Sequence, residues 1–328
     1  MRRRDAVGLL ATGLAGPSAR RALAFSPTAP AASPGRRAGH ALAYHAGARA
    51  VCLIGGDADG RADTAERTWL WNGHAWSLAR STSAPPATSL VAAAADVDRR
   101  SVLAFGGFAV LAAKGYGPPS GDLWELDANV TWRRPSASGA SPGPRHHHAM
   151  AFDAGRGRLV LYGGIDANGT WPVDVWEWDR ERWHRIVTPQ GPGERAHHAL
   201  AYDSRRARVV LRGGTRSDKT HPPETWEWDG RTWHQVAAGG PGPGGGYRMA
   251  YDAGHGVTVL FGGDTCLWDG RAWTTVTRPG DPALRSVHAM AYDPERARVV
   301  LYGGSLGETN GADMWEWNGS AWTERRPA

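Results

Sequence analysis

The sequence predicts an all-β fold, a six-bladed β-propeller with four-stranded antiparallel blades, on three observations. A Gly-Gly pair closes an apolar run six times, with first members Gly55, Gly106, Gly163, Gly213, Gly262 and Gly303. The pairs recur every 40–57 residues or so, the spacing of propeller blades rather than of helical solenoids. Each interval then holds a segment opening on a further tryptophan: Trp76, Trp132, Trp183, Trp233, Trp273 and Trp322.

Four short segments make up each unit. The first is typified by His198-Ala199-Leu200-Ala201-Tyr202-Asp203 and the second by Arg208-Val209-Val210-Leu211-Arg212 before its Gly-Gly. The third is Thr225-Trp226-Glu227-Trp228, and the fourth begins at the later tryptophan. Enrichment in β-branched and aromatic residues, period-two alternation and bounding turn residues mark all four as strands. Asp229-Gly230, Asp269-Gly270, Asn318-Gly319 and Asn72-Gly73 join the third and fourth segments. Such dipeptides predict tight type I′ hairpins, which require positive φ.

These residues resemble the Kelch repeat: a His-bearing first strand, a second strand ending Gly-Gly, an aromatic-x-aromatic step in the third, and a later Trp. The resemblance runs from residue 36 to 328 and implies a Kelch-type propeller with blades at approximately 36–84, 85–142, 143–192, 193–242, 243–282 and 283–328. Blade 2 lacks the first-strand His and has Leu126 for the second Trp; blade 5 has Cys266 for the first Trp. The four segments complete in order in every blade, so ring closure is expected to rest on packing of blade 1 against blade 6. The fold alone says little of activity, because one architecture hosts many functions.

Residues 1–24 read as an export signal of twin-arginine-like form: Arg2-Arg3-Arg4, an apolar stretch from Ala6 to Ala15, then Ala22-Leu23-Ala24 as a cleavage site. Residues 25–35 form a Pro-rich linker. A periplasmic or extracellular location is expected, without a transmembrane anchor in the mature chain, since the apolar stretch is too short to span a bilayer. Much of the formal charge of +6 sits in this leader, so a nucleic-acid role loses its electrostatic support. Cys52 and Cys266 are isolated, which argues against a thiolate metal site. No cofactor is expected, and the chain is expected to be a monomer.

Most conspicuous residues have a structural explanation. Burying one Trp removes about 150–250 Å² from water, roughly 4–6 kcal/mol gross as an upper bound. The repeat tryptophans are therefore read as inter-blade core. Trp171, in the insert of blade 3, is off the repeat and is a candidate for stacking on a sugar or anchoring a partner. Adjacent histidines (His146-His147-His148, His197-His198) alternate faces of a strand and cannot chelate one ion together.

Up-and-down blades place the 2–3 loops and the blade-to-blade connections on one face. The 2–3 loops vary widely in length, so this face is the expected binding face. There Arg37, Arg145, Arg195 and Arg285 precede the first-strand histidine by three residues. In Kelch adaptors such arginines line the channel mouth, so the resemblance implies a partial cationic rim for a carboxylate or phosphate. Asp57, Asp59, Asp63 and Glu66 offer carboxylates for calcium, at a spacing unlike an EF-hand loop. The expected function is a non-catalytic scaffold presenting the loop-rich face to a protein segment or a glycan. The alternative is a periplasmic sugar-acting enzyme resembling the Kelch-fold sialic acid mutarotase, rather than a copper oxidase. That enzyme would need a carboxylate or imidazole within reach of the arginines.

Overall fold

The computed structural model describes residues 33–58, 68–81, 84–111, 115–136, 138–242 and 245–326; the leader and most of the linker lie outside them. Among the described residues there is no helix. Six four-stranded antiparallel sheets form, each from one continuous stretch of chain. Their innermost strands are Ala38–His45, Ala92–Asp96, Ala149–Asp153, Ala199–Asp203, Arg248–Asp252 and Ala289–Asp293. Successive innermost strands lie side by side, and Ala38–His45 packs against Ala289–Asp293, so blade 1 meets blade 6 and the ring closes without an exchanged strand.

Aromatic rings make the blade-to-blade contacts. The residue before Gly-Gly in one blade sits between the first-strand His and the fourth-strand Trp of the next. Tyr302 meets His40 and Trp76, Phe105 meets His148 and Trp183, Tyr162 meets His198 and Trp233, and Phe261 meets His288 and Trp322. Centroids are 5.2–5.8 Å apart and all eight pairs are edge-on, the geometry that aromatic quadrupoles favour. The two junctions without this arrangement are 1/2, where Ile54 and Val91 take the places of aromatic and His, and 4/5, where Arg212 and Tyr247 do. Arg212 is buried there and donates to the carbonyls of Pro223 and Pro241. Of the six fourth-strand tryptophans, five are buried and Trp273 is half-buried.

The short-turn face carries a second set of links. Glu177 accepts from Arg156 of its own blade and from Trp228 Nε1 of the next, and Asp153 completes the cluster. Glu227 is held in the same way by Arg206 and Trp268. Between blades 2 and 3 the link runs in reverse: Arg180 of blade 3 reaches back to Asp96, with both bonds at 2.7 Å. In blade 5, His255 and Leu267 replace the Arg and Glu, and Trp317 Nε1 of blade 6 is left buried without a partner.

The Gly-Gly pairs follow from how closely the blades approach. In five pairs the first glycine has φ of +58 to +73° and the second +87 to +100°. The second donates its N–H to the next blade: Gly107 to Arg145 O, Gly164 to Arg195 O and Gly304 to Arg37 O. A Cβ on Gly163 would lie 2.6 Å from Arg195 O. Gly262 departs from the pattern; it has no positive φ, and its position is crowded by the Tyr247 ring.

The expected two-residue I′ hairpins are not what forms. Trp228 pairs with Trp233 and Trp71 with Trp76, leaving four-residue turns. Only the glycine needs the left-handed region (Gly230, φ +94°), while Asp229 Oδ1 accepts from the amides of Arg231 and Thr232. The Asp or Asn therefore acts through its side chain.

Gly163→Ala should destabilise the protein at least twice as much as Gly193→Ala, measured by urea unfolding. Both sites have positive φ, worth about 1–2 kcal/mol against Ala, but Gly193 has open space around its Cβ position. Equal losses would contradict the close-approach explanation.

Candidate functional site at the channel mouth

The sequence pointed to an arginine rim, and the structure corrects it. Arg37, Arg145, Arg195 and Arg285 are all buried in the linkers. Each donates Nη1 to the carbonyl of the first glycine of its own blade's pair: Gly55 (3.0 Å), Gly163 (3.1 Å), Gly213 (3.1 Å) and Gly303 (3.0 Å). Remaining donors reach the carbonyls of Pro34, Pro142 and Pro192, and Arg285 also pairs with Asp313 at 2.7 Å. Buried and committed to backbone oxygens, these guanidiniums brace the linker against the sheet and leave no rim for a ligand. Burial pushes Arg37 and Arg195 down to about 10, still protonated at neutral pH.

The residue preceding each first-strand His position forms a belt at the channel, and three of the six, Leu90, His147 and His197, line its cavity. Gly39, Leu90, His147, His197, Gly246 and Val287, one per blade, all have positive φ, from +47 to +88°. Their backbones link around the mouth: Leu90 N–H to Gly39 O, His197 to His147 O, Gly246 to His197 O and Gly39 to Val287 O, at 2.6–3.0 Å. A β-branched residue at φ +47° is strained, and the belt of inter-blade bonds holds it there. Inside the mouth is a cavity of about 100 Å³ whose lining includes His40, His147, His197 and Arg248.

A row of rings leads outward from this belt across the long-insert face. The insert of blade 2 forms a hairpin, Phe108–Leu111 with Gly115–Pro119, which adds to Thr88–Ser89 as a three-stranded sheet. Phe108 stacks on His146 with centroids 4.0 Å apart. His146 meets His147 at 4.7 Å, and His147 meets His197 at 3.8 Å. Tyr116 lies 5.5 Å beyond Phe108, 52% exposed, and its hydroxyl donates to Asp57 Oδ2 at 3.1 Å. His146 is positioned by pairing with Ile165 at the start of the blade 3 insert.

Burial is the main force on the imidazoles. It pushes His147 down to about 2, helped by the neighbouring His197, His146 and Arg248. His197 falls to about 4 through burial and Arg248, and His40 to about 3 through burial, Arg37 and Arg248. These rings are neutral at physiological pH and can donate or accept hydrogen bonds, but they are poor bases. Neither Asp nor Glu lines the cavity among the described residues.

The other sequence candidates are dispersed. Trp171 is partly buried in the blade 3 insert and is not among the cavity-lining residues. Asp57 is held by Tyr116, while Asp59, Asp63 and Glu66 lie outside the described residues. No group of three His, Cys, Asp or Glu among the described residues is placed to hold a metal ion. Arg248 and Phe108 escaped sequence reasoning; the available signal was that Arg248 replaces an alanine that the other five blades carry.

With the geometry in place, comparison with known proteins fixes the family. Residues 39–263, more than half of the chain, match the KLHDC2/KLHL20/DRC7 Kelch-repeats domain. The chain is a Kelch-repeat protein. A solved structure described as "Structure of YjhT" shares the Kelch fold of this chain, with a TM-score of 0.68 at 12% identity, covering 90% of this chain and 99% of that one. No curated protein matches.

Two outcomes follow for this Kelch propeller. Arg195→Met should destabilise it by about 2–4 kcal/mol in urea unfolding, since it strands buried carbonyls; a loss below 0.5 kcal/mol, taken as about the surface value, would return Arg195 to the rim. The second concerns pH. The folded pKa of His40 and His148 is about 3, below the ordinary 6.5. Their contribution is complete above about pH 6.5 and is lost as pH falls toward 3, at up to about 1.4 kcal/mol per pH unit per group. Unfolding free energies measured from pH 7.5 to 5 should fall accordingly, and NMR should show both rings unprotonated at pH 5 in the folded state. Protonation there near pH 6.5 would contradict the account.

Proposed function

We propose that this Kelch propeller is a non-catalytic binding scaffold that works outside the cytoplasm and holds a glycan on its long-insert face. The observation that carries this reading is the row of rings from Tyr116 through Phe108 and His146 to His197, which runs from exposed surface to the channel mouth. Exposed aromatic faces with a hydrogen-bonding tip stack on sugar rings and exclude water while keeping polar groups wet. Asp57, held by Tyr116, supplies an acceptor for sugar hydroxyls at the same place. In this reading Trp171, in the insert of blade 3, belongs to the same face. The export reading rests on the basic and apolar pattern of residues 1–24.

The enzyme reading has less support. Proton transfer on a sugar needs a carboxylate or a titrating imidazole in the site. The cavity-lining residues described include no carboxylate, and burial holds His147 and His197 well below neutral pH.

A glycan screen with the full chain, followed by calorimetry on Phe108→Ala and Tyr116→Ala, tests the proposal. Each substitution should weaken binding about tenfold or more, roughly 1.4 kcal/mol, with the melting temperature little changed. A glycan that binds the wild type and both variants equally would remove the site from this face.

A further inference from the structure

Blade 5 departs from the repeat in a way that packing does not explain. At the position after the first-strand His position blade 5 has Arg248, where the others have Ala41, Ala92, Ala149, Ala199 and Ala289. The side chain lines the channel cavity. Its described partner is a carbonyl, Tyr247 O at 2.9 Å, which uses one of five guanidinium donors. By contrast, Arg156, Arg206 and Arg296 pair with carboxylates and the linker arginines with glycine carbonyls. Among the described residues no carboxylate faces Arg248, and the groups that feel its charge are imidazoles, those of His40, His147, His197, His198 and His288.

Arg248 is half-buried in the cavity wall, and a partly desolvated cation without a counter-charge is unfavourable. Burial lowers the Arg248 pKa to about 10, so it keeps its proton at neutral pH. A counter-charge would reach it from solution through the cavity that it lines. We propose that the channel binds a small inorganic anion, of chloride to nitrate size, between the Arg248 guanidinium and the imidazoles of His147 and His197. A cavity of about 100 Å³ admits such an ion beside water, and neutral imidazoles supply N–H donors without competing charge. The site adjoins the inner end of the proposed glycan row, with which it shares His147 and His197, while Phe108 and Tyr116 lie outside the cavity lining.

The test uses bromide as the probe on the full chain. Anomalous diffraction from crystals soaked in sodium bromide should show a peak against Arg248 that is absent from Arg248→Ala, a substitution to the residue five blades already carry. In solution, replacing a bulky anion by bromide at fixed ionic strength should raise the wild-type melting temperature by about 1–3 °C and leave the variant unmoved. If Arg248→Ala does not fold, Arg248→Met takes its place. No peak in the wild type, a peak retained in the variant, or a peak without the melting shift (binding at crystal concentration only) would each overturn the proposal.

Discussion

Four of the six junctions between blades hold one aromatic ring, from the residue before Gly-Gly, edge-on between a His and a Trp of the following blade. The arrangement needs three residues that lie far apart in the repeat, and it needs the blades close together. Close approach brings the next linker's carbonyl to within reach of the Gly-Gly pair, and a side chain there would collide with it. The linker arginine then becomes necessary, because its guanidinium satisfies the carbonyl that the left-handed glycine turns inward. Glycine, arginine, histidine and tryptophan in the repeat thus answer one requirement: blades that touch along their full depth.

This dependence explains how much of the molecule was legible in the sequence. Blade number, strand order and the closing of blade 1 on blade 6 could be read because each rests on recurring residues at fixed offsets. Turn type was misread because Asp-Gly was taken as a backbone signal, whereas Asp229 works through its carboxylate. The arginines were placed on the correct linkers, yet the pattern in the chain cannot show whether a guanidinium turns to solvent or to a carbonyl 18 residues away. Positive φ at Leu90, His147 and Val287 left no trace in the sequence, since the ring imposes it on residue types that do not favour it.

The candidate site emerges where the repeat is broken. The blade 2 insert, which brings Phe108 onto His146, and Arg248, which stands among alanines, are departures in the two blades that also lack the first-strand His. Those blades bound the two junctions without the aromatic arrangement. Released from the clamp of the preceding blade, their positions at the mouth take other chemistry: a row of rings on one side and an unneutralised guanidinium on the other. Rigidity elsewhere is what allows these features to be held in place, since a preorganised platform loses less entropy when a ligand settles on it.

Hydrogen–deuterium exchange of the innermost strands tests the central claim, that the aromatic junctions set the stability of the ring. Amides of Ala92–Asp96 and Arg248–Asp252, whose junctions with the preceding blade lack the arrangement, should exchange fastest among the six innermost strands. Fastest exchange at Ala38–His45 and Ala289–Asp293, where the ring closes with the arrangement intact, would contradict it.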